Sequence, residues 1–444
     1  MLKTRLLPAL ALFAAACAAP QAQTPDTTET AAPMAASSEL PLERLYASPS
    51  LSGPTPQGVK YSPDGKRVTF LKARADEGER YDLWQFDVAT GEQSMLVDSK
   101  LLEPEEVELS EEEKALRERK RIAGRKGIVS YDWGTADTIL VPLGGDLHLV
   151  TLPSADGPEF ELEIYESTIS DLGFSEEKIR RKFEEALLAL NGARPDPADL
   201  ENLVIATIGD EVFSLSDLAK IVPAQREPEA RQLTATDAFE YDAKVSPGGR
   251  YVSFVRDGAV YAIDLTTNEE TRLTPLAEPE KAISYGVAEF VAQEEMSRYT
   301  GYWWSPDDCY LAYTRVDEST VDILPRFDIA AEEVTVIEQR YPRAGRPNAI
   351  VDLFVRDLET GEVVEIDWRR EDWGPATDQY LARVNFHQRG NLMIQAVNRE
   401  QTKLFYGTCF VSNGCETLTY AGQEEQENWI NLSNDFRSHS EKSF

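Results

Sequence analysis

The stretch YSPDGKRVTFLKA, residues 61–73, indicates a repeat architecture because it recurs along the chain. VSPGGRYVSFVRDG begins at Val245 and WSPDDCYLAYTRVD begins at Trp304. In each copy a Ser-Pro turn precedes a strand of alternating character. Proline fixes φ, aspartate bonds its own backbone and glycine takes positive φ, so these residues predict a tight turn between two strands.

Two degenerate copies and a second turn complete the repeat. The degenerate copies are WGTADTILVPL from Trp133 and FHQRGNLMIQAV from Phe386, and three units carry a later turn, FDVATGEQ (86–93), IDLTTNEE (263–270) or RDLETGEV (356–363). Four antiparallel strands per unit are typical of a propeller blade, whereas a β-sandwich would lack a turn repeated at the same place. We therefore predict an all-β protein, an incomplete β-propeller with about five recognisable blades.

Composition limits the function classes. The 444 residues are 42% hydrophobic and 9% aromatic, which indicates a globular chain with a core. The formal net charge of −33 argues against nucleic-acid binding, because contact with phosphates needs a basic face. An acidic surface instead favours encounters with cationic ligands.

The N-terminus predicts export. Residues 1–17 combine a basic start, an apolar core too short to span a bilayer, and small residues, as in a signal peptide. Cys17 follows three alanines and resembles a bacterial lipoprotein box, so lipid attachment at Cys17 and ordinary cleavage nearby are both open. Residues 18–41 have the composition of a disordered tether. We expect a periplasmic or cell-surface protein without a transmembrane segment.

A helical arm is predicted at residues 103–127. Its sequence includes LSEEEKALRERKRIAGRKG, in which Ser110 and Glu113 form a capping box and Glu113 and Arg117 an i,i+4 pair. Almost no apolar stripe is present, so the helix is either exposed or docked on a polar surface.

A small helical insertion is predicted at residues 155–228, in the outer strands of blade two. Ile179, Phe183, Leu187 and Leu190 would give its helix one apolar face.

Cysteine and histidine content indicates no metal centre. Cys409 and Cys415 flank an Asn-Gly hairpin turn and could form a disulfide across it. The chain has three histidines and no cysteine spacing typical of zinc. His148 lies in an alternating strand, so we expect a structural role for it, and we expect Trp303 and Trp304 to be blade core.

The segment GVAEFVAQEEMSRYTGYWWSPDD, residues 286–308, places Glu294 and Glu295 side by side in an apolar and aromatic setting. Adjacent carboxylates repel each other unless a cation lies between them. An ammonium has three donors and no acceptor, so each carboxylate can accept one hydrogen bond from it. The alternative is an internal cation, since Arg298 follows the two glutamates at helical i,i+4 and i,i+3 spacings.

This segment resembles the double-glutamate segment of the dipeptidyl peptidase IV branch of the prolyl oligopeptidase family of serine exopeptidases. LRERKRIAGRKGIVSYDW resembles the arginine-bearing arm of bacterial members and of dipeptidyl peptidases VIII and IX. YPRAGRPNAIVDLFV, LARVNFHQRGNLMIQAVNREQ and NWINLSNDFR resemble further propeller stretches. The resemblance covers about residues 42–440, and the insertion departs from it.

The resemblance implies a fold and a set of site residues. It implies an eight-bladed propeller that caps an α/β-hydrolase domain, with residues 42–444 as the N-terminal propeller. Glu294 and Glu295 would hold the substrate's N-terminal ammonium. Arg121, with Arg117 or Arg119 as alternatives, would hold a substrate carbonyl. Peptide N-termini would be the substrate, no cofactor is implied, and homodimerisation of the full-length enzyme is left open.

The catalytic residues of such an enzyme are not expected in this chain. No Gly-x-Ser-x-Gly motif occurs, and the sequence ends at HSEKSF after five of the eight implied blades. We therefore expect a truncated product of a longer gene, with the missing α/β-hydrolase domain as its partner and no peptidase activity alone. The full-length enzyme would release X-Pro or X-Ala dipeptides. The alternative is a non-catalytic propeller that binds peptides or proteins at the cell surface.

Overall fold

The computed structural model of the chain describes most of the residues beyond position 39. The described residues are 40–47, 51, 53, 55–103, 108–152, 160–164, 175–189, 203–208, 211–223, 228–329, 333–387, 390–411, 415 and 418–433. The chain divides into two units, Met1–Ser48 and Pro49–Phe444. Helix α1 (Leu42–Leu45) is the described element of the first unit. The remaining described elements all belong to the second unit.

Five antiparallel sheets of four strands or more succeed one another along the second unit, and they are the five predicted blades. The strands of blades one and two are β1 (Gln57–Tyr61), β2 (Arg67–Ala73), β3 (Arg80–Asp87) and β4 (Gln93–Val97), with β5 (Lys126–Gly127) parallel to β3, and then β6 (Asp132–Trp133), β7 (Thr138–Leu143), β8 (Asp146–Thr151) and β13 (Glu229–Gln232).

Blades three to five follow the same order of strands. They comprise β14 (Tyr241–Val245), β15 (Tyr251–Arg256), β16 (Ala259–Asp264) and β17 (Glu270–Arg272); β18 (Ile283–Tyr285), β19 (Tyr302–Trp304), β20 (Tyr310–Asp317), β23 (Ile350–Asp357) and β24 (Val363–Ile366); and β25 (Gln379–Phe386), β26 (Asn391–Asn398), β27 (Lys403–Phe410) and β28 (Thr419–Glu425). Blade four also carries a hairpin of β21 (Ile323–Ile329) and β22 (Val334–Arg340).

The inner strand of blade four is split. β18 pairs with the end of β20 and β19 pairs with its beginning, so both halves lie along one partner strand. Helix α6 (Phe290–Glu295) occupies the break. The double-glutamate segment is therefore an insertion in the middle of an inner strand.

The Ser-Pro turns work through the serine side chain. In blade one, Ser62 Oγ accepts from Arg67 N at 2.9 Å and donates to Asp64 at 2.6 Å. Blade three has glycine in place of that aspartate, and Ser246 Oγ instead donates to Asp308 of blade four at 2.6 Å. A turn in one blade is thus completed by its neighbour.

The second turns share an aspartate that accepts backbone N–H groups of the turn. The Asp87 carboxylate accepts from Thr90 N at 2.7 Å, and Asp357 accepts from Thr360 N at 2.8 Å. These bonds favour the ionised form and hold the pKa of both carboxyl groups below their ordinary value. The repeated turn predicted from the sequence is confirmed.

Successive blades bury a shared core, because both faces of a blade are apolar. In β7, Ile139 and Val141 pack with residues of blade one, whereas Leu140 between them packs with Phe254 of blade three. All three β7 side chains are fully buried. A strand buried on both faces reads as an apolar run rather than as clean alternation, which explains why this copy of the repeat is degenerate.

A tyrosine bridges blade three to blade four. The buried Tyr302 hydroxyl donates to Asp242 O at 2.5 Å, and Lys244 Nζ donates back to Tyr302 O at 2.9 Å. The same ammonium lies 3.5 Å from the centroid of the Tyr302 ring. Backbone, ring and ammonium therefore join two inner strands.

The same bridge joins blades one and two. Tyr131 Oη donates to Gly58 O at 2.7 Å, and Lys60 Nζ donates to Tyr131 O at 2.6 Å. Gly58 and Asp242 both take positive φ, 57° and 50°, beside a register shift in their strands.

A tryptophan two residues after each tyrosine adds a further bond. Trp133 Nε1 donates to Thr69 Oγ1 at 3.0 Å, and Trp304 Nε1 donates to Ser253 Oγ at 2.8 Å. Trp303 packs against the core between blades four and five. The prediction that Trp303 and Trp304 belong to blade core is confirmed.

The arm contains one helix in its described residues, α3 (Glu111–Arg119), and the short helix α2 (Ser99–Leu102) precedes the arm. Ser110 Oγ accepts from Glu113 N at 3.1 Å, as the capping box predicts, and Glu113 then pairs with Arg117. Both members of that pair are buried, so the arm is docked rather than free.

The insertion lies between β8 and β13, the third and fourth strands of blade two. Ile179 and Phe183 of its predicted helix are buried. The described part also contains short strands that the sequence did not indicate, because four or five residues show little periodicity. Its elements are β9 (Phe160–Ile164), α4 (Glu176–Ala189), β10 (Val204–Ile208), β11 (Glu211–Ser214), α5 (Leu215–Leu218) and β12 (Ala219–Pro223).

Three further expectations concern single residues and the N-terminus. Cys409 and Cys415 form the predicted disulfide, with Cα atoms 5.1 Å apart. His148 is buried in β8, as expected of a structural residue. The export signal with Cys17 lies outside the described residues. Within the described ranges, no helix is both long and apolar enough to cross a bilayer.

We expect Tyr302→Phe to lower the free energy of unfolding by about 1–3 kcal/mol, because Asp242 O loses its buried donor. Urea unfolding at constant pH measures this change. Tyr61→Phe is the control, since Tyr61 is 73% exposed, and should shift stability by less than about 0.5 kcal/mol. Equal effects of the two variants would show that the bridge contributes nothing.

We expect the His148→Gln variant to lose less unfolding free energy than the parent chain when the pH is lowered. Burial lowers the pKa of His148, so the unfolded chain binds the proton more tightly than the folded one. Stability is therefore lost as the pH falls below about 6.5, the ordinary histidine pKa. Unfolding free energies at about pH 7.5 and about pH 5.5 test this. A variant that loses as much stability as the parent would contradict it.

Candidate functional site

Glu294 and Glu295 are the last two residues of α6. Ala292 and Met296 anchor this helix on blade five, where they pack with Ala382 and Leu404. The apolar side chains of the segment thus face the core, and the two carboxylates lie at the helix end.

The two carboxylates differ in their surroundings. Glu294 is 21% exposed, and its Oε2 lies 3.6 Å from Arg121 Nη2. That contact is long and Arg121 is 78% exposed, so the ion pair is worth at most about 1 kcal/mol. Glu295 is exposed and makes no hydrogen bond or ion pair with any residue that the structure describes. At least one carboxylate is therefore available to a cationic ligand.

Arg121 reaches the site from the turn that ends α3. Its amide N donates to Glu118 O at 2.9 Å, and its φ of 59° lies in the left-handed region. A non-glycine residue there costs about 1–2 kcal/mol. The turn is held in this conformation by the contacts of its neighbours.

Arg119 and Lys120 connect the arm to residues 290–299, and we call these contacts the latch. Arg119 Nη1 donates to Gln293 Oε1 at 3.1 Å, and its guanidinium lies 5.3 Å from the Phe290 ring centroid. Tyr299 Oη donates to Arg119 O at 3.3 Å, and Lys120 Nζ lies 5.4 Å from the Tyr299 ring centroid. Arg121 is therefore placed beside Glu294 by contacts between segments about 170 residues apart.

The three candidate arginines of the arm, Arg117, Arg119 and Arg121, have different surroundings. Arg117 is buried, bound to Glu113 and to Arg125 O, and Arg119 is committed to Gln293. Arg121 is the arm arginine that is mostly exposed and next to a glutamate. This arrangement favours Arg121 over its two alternatives as a ligand-contacting residue, and that role stays a prediction.

Arg298 does not neutralise the two glutamates, so the alternative reading of the sequence is wrong. Its Nη2 donates to Glu289 Oε2 at 2.7 Å, and its Nε and Nη1 donate to Leu381 O at 3.1 Å and Thr300 O at 2.9 Å. The helix ends before Arg298, which turns the side chain inward rather than along the helix face. Removing one partner of such a buried pair costs about 3–5 kcal/mol.

Sequence reasoning missed Glu289, Gln293 and Tyr299 as site residues. Each contacts a cation that lies elsewhere in the chain or beyond the helix, so spacing carries no signal for them. Among the described residues no group of three or more histidine, cysteine, aspartate or glutamate side chains is arranged to hold a metal ion.

Comparison with known proteins gives consistent results. A family model described as the dipeptidyl peptidase IV (DPP IV) N-terminal region matches residues 198–444, more than half of the chain. The chain is 32% identical over 171 residues to a probable dipeptidyl-aminopeptidase B of Ajellomyces dermatitidis, which covers 36% of this chain and 18% of the relative. A probable dipeptidyl-aminopeptidase B of Aspergillus oryzae is 30% identical over 172 residues, and this match covers 36% of the present chain and 19% of the relative. The matched region thus spans less than a fifth of either relative.

The fold is shared with a solved structure. The crystal structure of Porphyromonas gingivalis dipeptidyl peptidase 4 matches with a TM-score of 0.50 and 15% sequence identity, over 84% of this chain and 40% of that one. At this identity the likeness concerns the fold alone.

We expect Gln293→Ala to loosen the arm, because Arg119 loses its hydrogen-bond acceptor. Trypsin should then cleave after Arg121 several-fold faster, which mass spectrometry of timed digests measures. Glu111→Gln is the control, since Glu111 pairs with Lys114 on the exposed side of the same arm. An unchanged cleavage rate in Gln293→Ala would mean that the latch does not hold the arm.

Proposed function

Since the chain belongs to the family of the dipeptidyl peptidase IV N-terminal region, we propose that Glu294 and Glu295 bind the free N-terminal ammonium of a peptide. The observation that supports this most is the disposition of charge at the end of α6. Arg298, the alternative cation for the pair, is bound to Glu289, and Glu295 has no partner among the described residues. A ligand with an ammonium group would supply the missing charge.

Arg121 fits the same proposal. Its contact with Glu294 is long and exposed, so a ligand ammonium can displace it at little cost. The guanidinium would then be free to donate to a backbone carbonyl of the peptide. A site for the ammonium and a guanidinium that donates to a nearby carbonyl would together select chain ends over internal peptide segments.

The activity of the whole protein follows as a proposal. The full-length enzyme would be an exported serine exopeptidase that releases X-Pro or X-Ala dipeptides, with an α/β-hydrolase domain supplying the chemistry. Residues 1–17 would be its export signal, with or without a lipid on Cys17, residues 18–41 a tether, and residues 42–444 the substrate-selecting propeller. Its location in the periplasm or at the cell surface and its homodimerisation are predictions of the same kind.

We expect the chain to bind a peptide with a free N-terminus at least about tenfold more tightly than its N-acetylated form. A hydrogen bond to a charged group contributes about 1.5–3 kcal/mol, which corresponds to about tenfold or more in affinity. The probe is a hexapeptide that begins Ala-Pro and carries fluorescein at its C-terminus, followed by fluorescence anisotropy. Glu294→Gln and Glu295→Gln should each reduce the preference about tenfold.

Glu359→Gln is the matched control, because Glu359 is exposed on a blade turn and the change removes the same charge. It should leave the preference as it is. Equal affinity of the unmodified chain for both peptides would reject the ammonium site. A preference that Glu359→Gln also abolishes would reduce it to attraction by the net charge of −33.

A further inference from the structure

Arg298 and Glu289 form a buried ion pair that flanks the helix carrying the two glutamates. Their side chains are 3% and 5% exposed, and Nη2 and Oε2 are 2.7 Å apart. Glu289 precedes the first residue of α6, and Arg298 lies three residues beyond its end. The pair therefore closes the segment that carries the glutamates into a loop with one salt bridge at its base.

Arg298 also ties this loop to its surroundings. Its backbone N donates to Ala292 O at 2.9 Å inside α6, and its guanidinium donates to Thr300 O ahead of β19 and to Leu381 O of β25. One side chain thus fixes the helix relative to the inner strands of two blades. With its backbone N included, Arg298 donates to four acceptors: Ala292 O, Thr300 O, Leu381 O and the Glu289 carboxylate.

The positive charge of Arg298 affects groups outside this loop. Burial lowers the pKa of Arg383 in β25, and the nearby positive charge of Arg298 lowers that pKa further. The two glutamates are on the order of 8 Å from Glu289 along the helix. Without Glu289, the positive charge would oppose an ammonium at Glu294 and Glu295.

We propose that Glu289 and Arg298 are positioning residues of the ammonium site, in which Arg298 holds α6 in place and Glu289 cancels the charge that Arg298 brings. This inference rests on the proposed ammonium site and adds to it the reason why the two glutamates keep their charge for a ligand. Neither residue contacts the ligand itself.

The test compares single and paired neutralisation. Glu289→Gln keeps the shape and leaves Arg298 uncompensated, so affinity for the free-amine hexapeptide should fall about three- to tenfold at an effective dielectric near 20, with the acetylated peptide unaffected. Glu289→Gln with Arg298→Gln restores zero net charge, so the preference for the free amine over the acetylated peptide should return to within about twofold of the parent chain, whereas the affinity for both peptides falls because α6 loses the guanidinium that holds it. Glu289→Asp keeps the charge and should keep the affinity even if it lowers the melting temperature.

Each outcome has a distinct meaning. If the parent chain does not distinguish the two peptides, the ammonium site is rejected and this inference with it. If the parent distinguishes them but the paired variant prefers the free amine no more than Glu289→Gln does, the pair acts on the fold alone and only the present inference is rejected. A parallel loss for both peptides in Glu289→Gln, or a loss of amine preference in Glu289→Asp while thermal unfolding stays cooperative, would reject it as well.

Discussion

The structure depends on the burial of apolar blade faces against the neighbouring blades. A sheet that is apolar on both faces gains stability from each, but its inner strand must still satisfy polar groups at the contact. Tyr302 and Tyr131 meet this requirement with the same hydroxyl-to-carbonyl bond, and Lys244 and Lys60 return a bond to the tyrosine carbonyl. The bridge occurs between blades one and two and between blades three and four. It fixes the relative height of adjacent inner strands.

This constraint makes the break in blade four structurally demanding. The first half of the inner strand ends at Tyr285 and the second begins at Tyr302, so the residues between them lose their place in the sheet. Arg298 compensates by donating to three main-chain or carboxylate acceptors in different elements. Blade five supplies the apolar surface on which the helix rests. The helix is thus held by contacts with both blade four and blade five.

In a strongly acidic protein, the proposed ammonium site needs more than acidic side chains to bind selectively. In a chain of net charge −33 an acidic side chain has no significance by itself. What distinguishes Glu294 and Glu295 is that the buried cations nearby are already matched. Arg298 is bound to Glu289 and Arg117 to Glu113, while the exposed Arg121 makes a long contact with Glu294. The matched pairs hold the scaffold, and their two arginines are bound to neither Glu294 nor Glu295.

The blades could be predicted from the amino-acid sequence, because the signals for a turn and for a strand lie within a few neighbouring residues. The serine of each Ser-Pro turn and the aspartate of each second turn bond to backbone groups two to five residues away, so their spacing is visible in the letters. The capping box at Ser110 and the Cys409–Cys415 disulfide were accessible for the same reason. The position of the double glutamate ahead of a Trp-Trp strand was equally readable.

Which cation pairs with which carboxylate depends on the tertiary structure and could not be predicted from the sequence. Helical spacing favoured Arg298 for Glu294 and Glu295, but the helix ends first and the guanidinium turns to Glu289. Gln293 and Tyr299 meet the arm across more than 170 residues of sequence. Ion pairing depends on distance in space and on burial, and neither is encoded in the local pattern of residues.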